Sequence, residues 1–155
     1  MKLLVGLGNP DKKYHDTRHN IGHYIIDILE KLDLPQTKLG TNTGYMNESG
    51  PSVQKLVHFY KTELTDFYLV HDDLDLPVGE WRLQFDRGPA GHHGVESVIQ
   101  HLGSQAFNRI RVGIGKPANQ VPIEDYVLQK FTASDKVLID QTVDKIIAEI
   151  KKLGS

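Results

Sequence analysis

FYLVHDDLDLP, residues 67–77, is the stretch on which the fold turns. Phe67, Tyr68, Leu69 and Val70 form an unbroken apolar run, and a run so short reads as a strand covered on both faces rather than a helix. It passes through His71 straight into Asp72, Asp73 and Asp75, so polar chemistry sits where a buried strand meets solvent. Two more runs of this kind lie on either side. Residues 2–8 (KLLVGLG) end in the turn Gly6-Leu7-Gly8-Asn9-Pro10, and residues 109–115 (RIRVGIG) place Arg109, Arg111 and Gly113 on one side of a strand. Trp81, Leu83 and Phe85 alternate with polar residues, as in a strand with one wet face.

Helical spacing fills the intervals. Ile21, Ile25, Ile28, Leu29 and Leu32 predict a helix from Arg18, with Thr17 as its N-cap. A second helix is expected from Pro51 through Val53, Leu56, Val57 and Tyr60, since proline suits the first helical position. A third runs through Val95, Val98, Ile99 and Leu102. A short helix over residues 123–130 and a longer one over 134–153, with Val143, Ile146, Ile147 and Ile150 on one face, complete the series. Residues 33–45 (DLPQTKLGTNTGY) show turn formers and little periodicity and read as a loop. Strands alternating with helices argue for an α/β fold, a three-layer sandwich with a mixed, largely parallel sheet flanked by helices and its ligand site at the carboxyl ends of the strands.

The 155 residues suit one domain, expected to span residues 1–155. There is no cysteine, which removes disulfides, thiolate metal sites and cysteine nucleophiles at once. The apolar run at the start is too short for a signal peptide, and no run reaches about 18 residues, so a cytoplasmic chain without membrane contact is expected. A formal net charge of −2 is unlike a protein that grips nucleic acid over a wide face; any such contact should be a local patch.

Several constellations could carry chemistry. Asn9 at a strand end and His19 at a helix start could converge on one pocket, an amide donor beside a proton carrier. Asp72 could fix the tautomer of a histidine, or the set His71, Asp72, Asp73 and Asp75 could hold a divalent metal, or the segment could be an acidic turn. Asn47 stands just before Ser49-Gly50-Pro51 and equally suits a helix cap. The loop Gly88-Pro89-Ala90-Gly91-His92-His93-Gly94 could offer free backbone N–H groups to an anion, and Arg111 a guanidinium to a phosphate.

In their order these motifs resemble bacterial-type peptidyl-tRNA hydrolase across nearly the whole chain. The likeness rests on VGLGNP (5–10), TRHNIG (17–22), YMNESG (45–50), HDDLDLPVG (71–79), GHHG (91–94) and RIRVGIGKP (109–117). It implies hydrolysis of the ester joining a peptide to tRNA, with His19 as the base that draws a proton from water and Asp72 orienting it. Asn9 would share in catalysis, and Asn9 and Asn47 would position the peptide and ester. Met46 would wall the peptide channel and Tyr14 stand near the scissile end, while Arg111 would meet tRNA phosphates; Arg82, Arg87 and Lys116 are cations of this chain that could compensate for Gln84. No cofactor and no metal are implied. The absence of cysteine and of a G-x-S-x-G serine elbow fits direct attack by water. The substrate would be the partner of a monomer.

The chain departs from the family's pattern in four places. His93 stands where the resemblance leads one to expect a substrate-binding asparagine, and Gln84 where a lysine is common. The connection before Tyr45 is short, implying a smaller sheet than is typical, and the basic C-terminal segment is reduced, implying weaker tRNA binding. Two other readings follow: a weakly active or inactive tRNA-binding relative, and a metal-dependent hydrolase built on His71, Asp72, Asp73 and Asp75 with His92 and His93.

Overall fold

In a computed structural model describing residues 1–118 and 120–153, five strands form one mixed sheet in the order β2-β1-β3-β5-β4. The strands are β1 (Lys2–Gly6), β2 (Thr37–Thr41), β3 (Phe67–Asp73), β4 (Trp81–Phe85) and β5 (Asn108–Gly113). All neighbours pair parallel except β4, which runs antiparallel to β5. The helices are α1 (Ile21–Leu29), α2 (Ser49–Phe59), α3 (His93–Leu102), α4 (Ile123–Tyr126) and α5 (Ala133–Leu153).

The period of two along each strand divides the core between two faces. Leu4, Tyr68, Val70, Ile110 and Val112 pack with α1 and α5, against Ile25, Ile26, Ile139, Val143 and Ile146. Leu3, Val5, Phe67 and Leu69 point the other way and pack with α2 and α3, against Val53, Val57, Val95 and Val98. The expected three layers are present. Because β1 leads outward to β2 through α1 and the chain returns past β1 to β3 through α2, the strand order reverses between β1 and β3. Crevices at such reversals, at the carboxyl ends of the strands, are where α/β sheets place ligands.

Local differences from the sequence reading have physical causes. Residues 33–45 are not all loop: β2 pairs with β1 from Lys2↔Thr37 to Gly6↔Thr41. As an edge strand of sequence TKLGT it has one large apolar residue, Leu39, and so carries almost no hydrophobic signal. The helix expected from Arg18 opens as a 3-10 turn over Arg18–Asn20, and Thr17 does not cap it; its hydroxyl donates to the Tyr14 carbonyl at 2.8 Å. α2 begins two residues before Pro51, and the helix expected over 123–130 stops at Tyr126. β4 lacks the dry face its alternation predicts. Trp81 packs on the core, but Leu83 and Phe85 are 37% and 49% exposed, because this outermost strand has only β5 beside it.

Close approach of α1 to β1 brings the functional segments together. A Cβ on Gly22 would stand 2.5 Å from the Leu7 nitrogen and the Val70 carbonyl oxygen, both backbone atoms that cannot step aside. Overpacking of this kind typically costs 1–3 kcal/mol. Gly22→Ala is therefore expected to destabilise the fold by about 1–3 kcal/mol, read as a lower denaturation midpoint; an unchanged midpoint would contradict this packing.

Candidate active site

A cavity of about 490 Å³ opens at the β1/β3 reversal, and Asn9, Tyr14, His19, Met46, Asn47, His71, Asp72, His92 and His93 are among its lining residues. Asp72, the penultimate residue of β3, is 2% exposed and lies at its centre. His19 Nδ1 approaches Asp72 Oδ2 at 2.7 Å, and His92 Nε2 approaches Oδ1 at 2.7 Å. Burial alone would push the Asp72 carboxyl up. The charges and hydrogen bonds of His19 and His92 outweigh it and hold the group well below the usual carboxylate range.

An ionised carboxylate only accepts, so both imidazoles must donate to it. His19 thus carries its proton on Nδ1 and leaves Nε2 as a lone pair. For His92 the tautomer is fixed twice, since its Nδ1 accepts the Val95 N–H at 3.2 Å while Nε2–H faces Asp72. Burial lowers the His19 pKa, but the charge and hydrogen bond of Asp72 prevail and the net shift is upward from 6.5. The ring is a strengthened base.

His19 is held from both sides. Its backbone N–H donates to the Val127 carbonyl at 2.8 Å, and the Arg18 N–H donates to Gln129 at 3.0 Å. The buried Arg18 side chain donates from Nη1 to the Tyr126 carbonyl at 3.0 Å and to Gln129 Oε1 at 3.1 Å, and its guanidinium stacks 3.9 Å from the centre of the Tyr126 ring. This clamp ties α4, which contributes Ile123 and Glu124 to the cavity wall, to the turn bearing His19.

Asn9 is equally constrained. Its backbone N–H donates to Asn20 Oδ1 and its carbonyl accepts from Asn20 Nδ2, each at 2.9 Å. Asn42 grips Gly8 in the same two-point manner at 3.0 Å and donates to Ser49 Oγ. The Met46 N–H donates to Asn9 Oδ1 at 2.8 Å, which orients the Asn9 amide and leaves its NH₂ as a donor. Gly94 makes room for Met46 here: a Cβ on it would lie 2.5 Å from the Met46 sulfur.

Asn9, Tyr14, His19, Met46, Asn47, Asp72 and His93, read from the sequence, all line this one cavity. Asn47 and His93 are exposed, and the Asn47 amide has no partner among the described residues. The cations fall elsewhere. Arg111 is buried, with Nε donating to Asp73 Oδ2 at 2.6 Å and Nη1 to Gln84 Oε1 at 2.5 Å. Arg82 lies opposite Arg111 on β4, exposed and donating to Glu80, and Lys116 is exposed 3.8 Å from Asp75. The expected anion cradle at the start of α3 is occupied by the chain's own His92 cap.

Sequence reasoning missed Asn20 and Asn42, and it named His92 as a loop residue or metal ligand but not as the second donor to Asp72. The place of His92, three residues before Val95 at a helix start, is a capping signal for residue types other than histidine. His19, Asp72 and His92 could offer metal ligands. Loading that set, however, would displace both N–H donors from Asp72 and push the His92 proton onto Nδ1, facing the Val95 N–H. The residues fit a proton-handling pair better than a metal centre.

Comparison with known proteins gives the family of the chain. The sequence model of one family, described as peptidyl-tRNA hydrolase, matches residues 3–38 and 35–155. The chain belongs to the peptidyl-tRNA hydrolase family. The peptidyl-tRNA hydrolase of Bacillus cytotoxicus is 44% identical over 94% of this chain and 88% of its own length, and that of Geobacillus thermodenitrificans 44% over 92% and 87%. The crystal structure of the Acinetobacter baumannii enzyme superposes with a TM-score of 0.89 at 30% identity, covering 97% of this chain and 87% of that one. The two pieces of the family match meet at residues 35–38, where the short connection before Tyr45 begins. A [NiFe] hydrogenase maturation protease from Thermococcus kodakarensis, 13% identical with a TM-score of 0.56, shares the fold alone.

Proposed function

We propose that this peptidyl-tRNA hydrolase family member cleaves the ester between tRNA and a peptide or N-blocked amino acid, by direct attack of water. The observation that carries the reading is the His19–Asp72 pair at 2.7 Å, with Nε2 of His19 left as the base beside a fixed Asn9 amide. In the reaction His19 Nε2 takes a proton from water as its oxygen attacks the ester carbonyl. Asp72 stabilises the imidazolium that forms, and the Asn9 NH₂ donates to the developing oxyanion. Collapse of the tetrahedral species expels the terminal ribose oxygen, which takes the proton back from His19. All bonds made and broken are accounted for by water, so the residues need no cofactor or metal.

Asn47 and His93, both lining the cavity, would hold the peptide, with Met46 and Tyr14. His93 offers one ring hydrogen bond at a time in place of a paired amide donor and acceptor. Arg82 and Lys116 would meet tRNA phosphates, and Arg111 would stiffen the sheet end between them. We further read the chain as a single domain acting as a monomer in the cytoplasm; among the described residues no helix is long and apolar enough to cross a membrane.

The test is release of the acyl group from an N-acetylated aminoacyl-tRNA, with free aminoacyl-tRNA as control. Rapid release from the blocked form alone is expected. Binding without release would favour the inactive-relative reading, for which His93 and Gln84 speak, and loss of release on chelation would favour the metal reading.

A further inference from the structure

Hydrolysis as proposed employs His19, Asp72 and Asn9 and leaves one buried imidazole of the cavity without a part. His71 is 5% exposed, yet its ring lines the cavity. Its Nδ1–H donates to the backbone carbonyl of Asp72 at 2.8 Å, which uses the ring's single proton and leaves Nε2 a bare acceptor. Burial, then the neighbouring His92, pushes its pKa far below 6.5, so the ring stays neutral. Among the described residues Nε2 has no donor.

Nε2 is nonetheless not sealed off, since it is not among the fully buried unpartnered atoms of the described residues, and polar groups held this far inside a native protein almost always find partners. The cavity is where a partner can approach. What it admits is set by the neighbours: the His92 ring stands edge-on at 5.1 Å, and Asp72, Asp73 and Asp75 line the same cavity. Asp73 is already paired with Arg111. A phosphate would meet acceptors and negative charge there. A neutral O–H or N–H would meet a fixed lone pair that the cavity leaves within reach.

We propose that His71 Nε2 accepts a hydrogen bond from a neutral donor of the substrate and so sets its register beside His19. The inference rests on the hydrolytic reading above. A peptidyl-tRNA carries two sources of this chemistry near its ester, the vicinal ribose hydroxyl and the amide N–H groups of the peptide.

Wild type, His71→Phe and His71→Gln would be compared on three N-acetylated substrates: the native ester, one with a 2′-deoxy terminal ribose, and one with the amide nitrogens methylated. His71→Phe is expected to lower kcat/KM on the native ester by about 2- to 13-fold, the worth of one net hydrogen bond. One modified substrate should lose a similar factor with wild type and nothing further with His71→Phe, and which one does so identifies the donor. His71→Gln, which keeps an acceptor, should retain discrimination. In nitrogen-15 spectra His71 should show the Nδ1–H tautomer, and an uncleavable amide-linked analogue should move its Nε2 resonance.

Identical substrate ratios in wild type and His71→Phe, or an Nε2 resonance unmoved by the bound analogue, would overturn the proposal. Should His71→Phe fail to fold, the Gln variant and the spectra decide. Failure of the hydrolytic reading looks different, as no release by wild type from any substrate, and the resonance shift still tests His71 in that case.

Discussion

His19→Ala is expected to lower kcat for release by about 10²–10⁴-fold, the contribution of a positioned general base. The protein should still fold, because what anchors this turn is backbone bonding and the Arg18 clamp rather than the imidazole, with the loss of thermal midpoint greatest at acidic pH, where the protonated ring pairs with Asp72. KM should also hold, since the base acts on water and makes its decisive contact only in the transition state. In wild type, kcat/KM should fall as the solution is made acidic, with an apparent pKa above 6.5, because Asp72 favours the protonated ring and only the neutral ring can take a proton. Stability runs the opposite way. A folded pKa above the unfolded value contributes stability that is complete below about 6.5 and is lost as pH rises through the folded value. The fold thus favours the form of His19 that cannot act, and the reaction draws on that preference when the imidazolium forms. A variant retaining near-full activity would remove His19 from the mechanism.

How much of this was legible beforehand depends on the range of the interactions involved. β1, β3 and β5 are buried on both faces and announce themselves as apolar runs; β2, on the edge with Leu39 as its one large apolar residue, does not. Asn9, His19 and Asp72 could be singled out because each sits at the end of an element. Their union could not be derived locally, since 53 positions separate His19 from Asp72 and only the ordered motifs linked them. The supports are less visible still. Asn20 and Asn42 act through backbone groups 11 and 34 positions away, and no local pattern marks such a contact. Arg111 illustrates a different limit. Its place on a strand suggested a cation aimed at phosphate, whereas Asp73 from the neighbouring strand and Gln84 from β4 draw it inward.

Asp72→Asn should be nearly as damaging as loss of the base, about 10²–10⁴-fold in kcat, and the reason lies in His92. Asp72 receives two N–H donors, one on each oxygen, but an asparagine has a single acceptor oxygen and an NH₂. One imidazole must give way. His92 cannot move its proton to Nδ1 without setting it against the Val95 N–H and losing the cap of α3, which is worth roughly 1 kcal/mol. His19 can, because its Nε2 faces the open cavity. The amide oxygen therefore turns to His92, its NH₂ faces His19 Nδ1, and His19 is driven into the tautomer with its proton toward the substrate, where it cannot serve as a base. Removing the competitor reverses the choice. Asp72→Asn combined with His92→Ala lets the amide oxygen turn to His19 and restore the Nδ1–H tautomer, so the double variant should be more active than Asp72→Asn alone. If His92→Ala instead lowers the activity of Asp72→Asn further, Asp72 is not shared between the two rings in the way the 2.7 Å contacts imply.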